Sequence, residues 1–245
     1  VYRVNLVKAM LTNVLRTVLK TLLALLALSI LLVLLLRWVN PPFSALMLER
    51  QWAATLTGEN YHSKRSWLAW PALPDNLKMA VIAGEDQQFA DHYGFDIAAI
   101  RAALAHNQDS ESIRGASTLS QQVAKNTFLW SSRSWSRKAL EAWFTLWIEL
   151  FWSKERILEV YLNSAEWGPG IFGAQAAAQY HFQRNAAQLD NQQAYLLAAI
   201  LPSPLQRSAS QPSAATAQRA NWIARQVRQL GGNHYLKALK ASDSD

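Results

Sequence analysis

The 245 residues are 51% hydrophobic and only 17% charged, and 11 of them are Trp. That composition excludes a disordered tail and allows one folded domain comfortably. Cysteine is absent, which removes disulfide scaffolds, thiolate zinc sites and cysteine nucleophiles together. The net charge of +7 suggests nucleic acid only until it is divided along the chain. Residues 1–48 carry Arg3, Lys8, Arg16, Lys20 and Arg37 with no acid, and the remainder holds 19 basic against 17 acidic side chains. The basic excess flanks one apolar segment, so nucleic-acid binding loses its main support.

That segment runs from Thr21 to Leu36, 16 uncharged residues of which ten are Leu. Its Leu, Ile and Val residues together favour insertion by about 4 to 7 kcal/mol. Lys20 and Arg37 can snorkel and Trp38 suits an interface, which extends the expected transmembrane helix to 16–39. Four positive charges precede the run and one follows, so residues 1–15 are expected in the cytoplasm and the rest beyond the membrane. A cleaved signal peptide is the competing reading, but Arg37, Trp38 and Pro41-Pro42 stand where a small-residue cleavage site would be.

Pro41-Pro42 ends this helix. Residues 40–74, with Gly58, Pro71 and Pro74, read as a connecting region with room for short strands. From 75 onward helical periodicity dominates, over 75–88, 118–126, 136–152, 154–163, 173–183, 190–201 and 213–230. Asp96 can cap a helix through Ile97, Ile100 and Leu104, Thr118 and Gln121 form a capping box, and Gly231-Gly232 stops the last helix. The expected fold is mainly α-helical, with one core over 75–245. Eight aromatic residues between Phe128 and Trp152, interleaved with Arg133, Arg137, Lys138 and Lys154, suit either a membrane interface or ordinary packing.

Three clusters can carry chemistry. Glu85-Asp86-Gln87-Gln88-Phe89-Ala90-Asp91-His92-Tyr93-Gly94 puts two adjacent carboxylates near a helix end. Neighbouring helical residues face about 100° apart, so Glu85 and Asp86 cannot share one task. A carboxylate partly surrounded by apolar side chains has the raised proton affinity of a general acid or base. The second cluster, Gly115-Ala116-Ser117-Thr118-Leu119-Ser120-Gln121-Gln122-Val123-Ala124-Lys125-Asn126, joins a small-residue turn to a helix start, an arrangement suited to anions. The third, Arg137, Lys138 and Glu141, is either a surface ion pair or the lining of a phosphate pocket. The histidines show no metal-ligand spacing, and neither a GxSxG elbow nor a dinucleotide fingerprint occurs.

These stretches, in this order, resemble the peptidoglycan glycosyltransferases of family 51, and most closely their monofunctional, membrane-anchored members. The first matches Glu-Asp-x-x-Phe-x-x-His-x-Gly throughout. The second matches Gly-x-Ser-Thr-x-x-Gln-Gln-x-x-Lys-Asn, with Ala116 where many members carry Gly, and Arg137-Lys138-x-x-Glu141 matches in full. Lys154 to Asn163 forms a fourth motif, and the similarity covers roughly 75–205.

The resemblance implies a lysozyme-like, two-lobed all-α domain whose smaller lobe sits partly in the inner membrane, with the catalytic part in the periplasm. It implies polymerisation of lipid II into β-1,4 glycan with inversion and release of undecaprenyl pyrophosphate. Glu85 matches the general base and Glu141 the second essential carboxylate. Lys125, Arg133, Arg137 and Lys138 match groups facing the pyrophosphate, and Ser117, Thr118, Gln121, Gln122 and Asn126 the donor side. Asp86, Phe89, His92, Gly94, Glu159, Tyr161 and Asn163 are expected to shape the cleft. No tightly bound cofactor is implied, although a divalent cation, Mg or Mn, can accompany the pyrophosphate. Expected partners are lipid II, the growing strand, membrane lipid and other wall-synthesis or division proteins. With neither Ser-x-x-Lys nor Lys-Thr-Gly in the chain, transpeptidase activity is not expected. The rival expectations are a lytic, glycan-cleaving enzyme and a non-catalytic lipid II-binding scaffold.

Overall fold

The computed structural model describes residues 2–109, 115–132 and 134–241. Helix α1 (Tyr2–Leu36) contains a stretch, Met10–Leu36, long and apolar enough to cross a membrane, and it fits a single-pass anchor. It begins earlier than the expected span and stops three residues sooner. The helix tightens at its end, where Arg37 N–H donates to Leu34 O and Trp38 N–H to Leu35 O, both at 3.2 Å. Such i→i+3 bonds are how a helix terminates before a Pro-Pro pair.

The expected connecting region holds more structure than its composition suggested. Helix α2 (Ala45–Thr57) opens on Ser44, whose Oγ accepts from Met47 N–H at 3.2 Å, and closes on Gly58 in the left-handed conformation. Strand β1 (Lys64–Arg65) follows. The signals for α2 were present in Ser44 and Gly58, but its one buried residue, Ala54, leaves little apolar periodicity to read.

The remaining elements are α3 (Asp75–Glu85), α4 (Ile97–Asp109), α5 (Leu119–Phe128), α6 (Trp135–Phe151), α7 (Lys154–Ser164), β2 (Glu166–Gly168), β3 (Ile171–Phe172), α8 (Ala174–Phe182), α9 (Asn191–Ile200), α10 (Ala214–Gln229) and α11 (His234–Ala241). The fold is mainly helical and lysozyme-like, as expected. The three strands form a small sheet in the order β1-β3-β2, with β1 parallel and β2 antiparallel to β3. Neither this sheet nor α11 was legible, because strands of two or three residues carry no alternation and α11 is a short amphipathic turn after the Gly pair.

Helix α3 is the centre of the molecule. Every residue from Leu77 to Ala83 is buried, including Lys78, whose Nζ lies 2.9 Å from Asp75 and 4.0 Å from the Trp70 ring. Helices α9 and α10 pack against α3, while α5 packs on α6 and α7. A methyl group on Gly84 would stand 3.2 Å from Ile223 Cδ1, so glycine here lets α10 approach α3 closely.

Helix α6 lies along α1. Trp143 Nε1–H donates to Ser29 Oγ at 3.0 Å and Trp152 Nε1–H to Val33 O at 2.8 Å. The aromatic crowd therefore divides. Phe128 stacks on Phe144 and Trp147 on Phe151, and Trp152 is buried, whereas Trp135 is 91% exposed. Arg156 of α7 completes the join, donating to Leu36 O at 2.9 Å, to Val39 O at 2.9 Å and to Asn40 Oδ1 at 2.8 Å. A guanidinium on the last carbonyls of a helix satisfies groups that have no partner within it.

Candidate active site

Glu85 is the last residue of α3, and Asp86 leaves the helix in an extended conformation with φ −160°. This break sends the two carboxylates to different tasks, as the sequence required. Asp86 is buried; it accepts from Leu119 N–H at 2.9 Å and faces His92 Nε2 at 3.0 and 3.1 Å. His92 Nδ1 accepts from Gly94 N–H at 3.1 Å, so the ring hydrogen sits on Nε2 and is donated to Asp86. Gly94 adopts φ +81°, and a Cβ there would meet Thr145 Cγ2 at 2.6 Å. Phe89 is fully buried with Lys154 Nζ 4.8 Å from its ring. Lys154 also donates to His92 O at 2.6 Å and pairs with Glu149 at 2.8 Å. The loop after Glu85 is thereby tied to α5, α6 and α7. From the other side α11 holds it through Tyr235, which donates to Gln87 O and accepts from Ala90 N–H, both at 3.0 Å.

Thr118 and Gln121 form the expected capping box at the start of α5, with Gln121 N–H on Thr118 Oγ1 at 3.2 Å and Thr118 N–H on Gln121 Oε1 at 3.0 Å. Thr118 Oγ1 also donates to Gly94 O at 2.7 Å. Both side chains are buried and committed to this turn. Thr118 nevertheless borders a cavity, as do Ser117, Gln122, Lys125 and Asn126.

Two cavities meet at Gln122. The larger, about 810 Å³, is lined by Glu85, the Gly115–Thr118 turn, α4 residues, Arg219 and Trp222. The smaller, about 220 Å³, is lined by Lys125, Asn126, Tyr161, Arg50 and Glu166. Gln122 Nε2–H donates to Glu85 Oε2 at 3.0 Å, and Tyr161 O–H donates to Gln122 Oε1 at 3.2 Å, which fixes which end of the amide faces Glu85. Burial raises the proton affinity of Glu85, and Asp86 adds to it. Gln122 and Arg219 oppose that rise. Burial, with Glu85 adding to it, also pushes the Tyr161 phenol well up, so it stays a donor.

Lys125 lies between Glu85 and the third motif. Burial lowers its proton affinity, Arg137 and Lys138 add to that, and Glu141 and Glu85 oppose it. Glu141 is 3% exposed, with Arg137 Nη1 at 2.5 Å from Oε2 and Lys138 Nζ on Oε1. Three cations thus surround one carboxylate, leaving a net positive wall. With both oxygens of Glu141 held by cations, these residues do not fit a protein-held divalent ion, and among the described residues no group of three acidic, His or Cys side chains could hold one. Arg133 lies outside the described residues.

Glu159 and Asn163 are clamps. Asn163 exchanges 2.8 Å hydrogen bonds with both backbone groups of Leu68, and Glu159 accepts from Trp67 Nε1–H at 3.3 Å and Arg156 at 3.0 Å. Tyr161, expected beside them, instead reaches the site.

Four residues of these cavities escaped the sequence reading. Arg219 Nη2 donates to Gly84 O at 3.0 Å and stands 3.5 Å from Glu85 Oε1, with Trp222 beside it. Arg50 of α2 donates to buried Glu166 of β2 at 2.9 Å. Nothing short-range marks either pair: 134 residues separate Arg219 from Glu85 and 116 separate Arg50 from Glu166.

A family model described as Transglycosylase matches residues 50–228. A biosynthetic peptidoglycan transglycosylase of Stutzerimonas stutzeri (strain A1501) is 65% identical over 231 residues, covering 94% of this chain and 96% of that protein. Proteins of the same name from Pseudomonas putida (strain W619) and Pseudomonas entomophila (strain L48) are each 62% identical, covering 95% of this chain and 99% of theirs. With likeness running almost from end to end, the chain belongs to the peptidoglycan transglycosylase family and is a peptidoglycan glycosyltransferase.

Proposed function

We propose that the protein polymerises lipid II into β-1,4 glycan, with Glu85 as general base. The observation that carries this reading is a largely enclosed carboxylate of raised proton affinity on the wall of the larger cavity, linked through Gln122 to the smaller one, which Lys125 borders. Ionised Glu85 takes the proton from the acceptor's GlcNAc 4-hydroxyl as that oxygen attacks C1 of the donor's MurNAc. The bond from C1 to the pyrophosphate oxygen breaks with inversion, and its electron pair leaves on undecaprenyl pyrophosphate. Lys125, Arg137 and Lys138 stabilise the charge growing on that oxygen, a role assigned to Arg133 as well. Glu141 holds Arg137 and Lys138 in place. Ser117, Gln122 and Asn126 contact the donor, while Thr118 and Gln121 act through the turn they lock.

The basic flank of α1 assigns residues 1–15 to the cytoplasm and the catalytic part to the periplasmic side of the inner membrane. The catalytic unit is assigned to 75–245, with α2 and β1 of the preceding region walling it. Helix α6, joined to α1, carries the membrane-facing part of the smaller lobe, its Leu146 and Leu150 exposed. No Ser-x-x-Lys or Lys-Thr-Gly occurs in these 245 residues, which supports glycosyl transfer without transpeptidation. A lytic enzyme would have no pyrophosphate for the cation wall to neutralise.

The test is polymerisation of purified lipid II in detergent by the wild type and by Glu85→Gln, with glycan resolved on a gel. Long chains from the first and none from the second are expected. Bound lipid II without polymer from either would favour a scaffold, and shortening of preformed glycan would identify a lytic enzyme.

A further inference from the structure

A third cavity, about 470 Å³, lies away from this chemistry, between the edge strand β1 and helix α8. Lys64, Arg65, Ser66, Gln179, Tyr180 and Gln183 line it, and no carboxylate does. Arg65 hydrogen-bonds to carbonyls and lies over the Trp67 ring at 5.0 Å: Nε–H donates to Asn163 O at 3.0 Å and Nη1–H to Pro41 O at 2.7 Å. Among the described residues its other terminal nitrogen has no hydrogen-bond partner, and burial lowers its proton affinity with no acid opposing. A partly buried cation without a counter-charge, next to an exposed lysine, attracts an anion.

The position of the cavity says which anion. Pro41 is five residues past the end of α1, so the guanidinium of Arg65 is hydrogen-bonded to the chain just where the anchor emerges. Arg37 and Arg156 stand at the same exit, Arg156 bonded to the carbonyls of Leu36 and Val39, and Glu159 is the one acid paired with them. Residues 49–245 carry a net charge of only +2, so this concentration of basic groups beside the anchor is local. Basic pockets beside transmembrane helices bind phosphate headgroups.

We propose that the cavity between β1 and α8 binds the phosphate headgroup of an anionic phospholipid in the leaflet from which α1 emerges. The hydroxyl of Ser66 and the amides of Gln179 and Gln183 supply neutral donors beside the two cations. Bound lipid fixes the height of the domain over the bilayer through the same residue, Arg65, that holds the anchor exit.

The absence of cysteine makes a Ser63→Cys label, beside the cavity and outside its lining, unique. The labelled full-length protein is placed in vesicles holding equal fractions of headgroup-spin-labelled phosphatidylglycerol or phosphatidylcholine, and quenching is compared. Preferential quenching by phosphatidylglycerol is expected, reduced about fivefold by Lys64→Gln, which removes a cation, and about fivefold by Gln179→Glu, which adds an anion. Both positions are exposed, and unchanged melting temperatures of these variants separate lost binding from lost folding. Equal quenching by the two lipids overturns the proposal, as does a preference that both variants retain. Displacement by millimolar inorganic phosphate would mean a site for free anions and not for lipid. Protein that floats with neither vesicle would overturn the anchor reading and this proposal with it.

Discussion

Glu85 and Glu141 are both motif carboxylates with little exposure to solvent, and their surroundings differ in every respect that matters. Glu141 has a cation on each oxygen. Glu85 has one amide hydrogen bond and a guanidinium 3.5 Å away, too little to offset burial. Residue type does not distinguish a base from a structural counter-ion. The number and distance of compensating charges does.

Removing each carboxyl charge should expose this contrast. Glu85→Gln is expected to lower lipid II polymerisation by about 10²- to 10⁴-fold, the usual contribution of a general base, with the chain still folded. The same variant is expected to melt higher than the wild type at neutral pH. The folded state holds the Glu85 proton more tightly than the unfolded chain does. That contribution to stability is present below the ordinary carboxylate range and is lost as pH rises through the raised folded value. The gain in melting temperature, about 2–4 °C per kcal/mol recovered, should therefore vanish in acid, and its persistence there would contradict the sign. Glu141→Gln should do the opposite, lowering stability by about 1–3 kcal/mol through loss of two charge-assisted hydrogen bonds, measured by urea unfolding in detergent.

Smaller changes sharpen the comparison. Arg219→Met removes the cation 3.5 Å from Glu85, so the acid limb of kcat/KM should move to higher pH, by up to about one unit. An unmoved limb would mean that Arg219 does not influence the base. Tyr161→Phe frees Gln122 to turn its amide and should cost about 1 kcal/mol of stability, with a lower kcat and little change in KM.

How much of this was legible follows from the range of each interaction. The capping box of Thr118 and Gln121, the cap at Asp96 and the stop at Gly231-Gly232 depend on residues a few positions apart, and each stands where it was expected. The cleft residues were named through motif resemblance, which gives identity without orientation. Hence the Gln121 side chain, expected at the substrate, is turned into the fold, and Tyr161, expected to shape the cleft, orients Gln122. Helix α2 was missed because one buried alanine gives no periodic face, although it brings Arg50 to the smaller cavity.

Taken alone, the chain of residues determined a helix long and apolar enough to cross a membrane, a helical domain and a family, because hydropathy, caps and motif order are local properties of sequence. Only the tertiary structure decided which buried carboxylate is left under-compensated. That outcome depends on α10 passing close enough at Gly84 to bring Arg219 within 3.5 Å of Glu85, and no closer. Proton affinity is set by distances between charges and by the water that packing excludes, and both are fixed only when segments far apart in sequence meet.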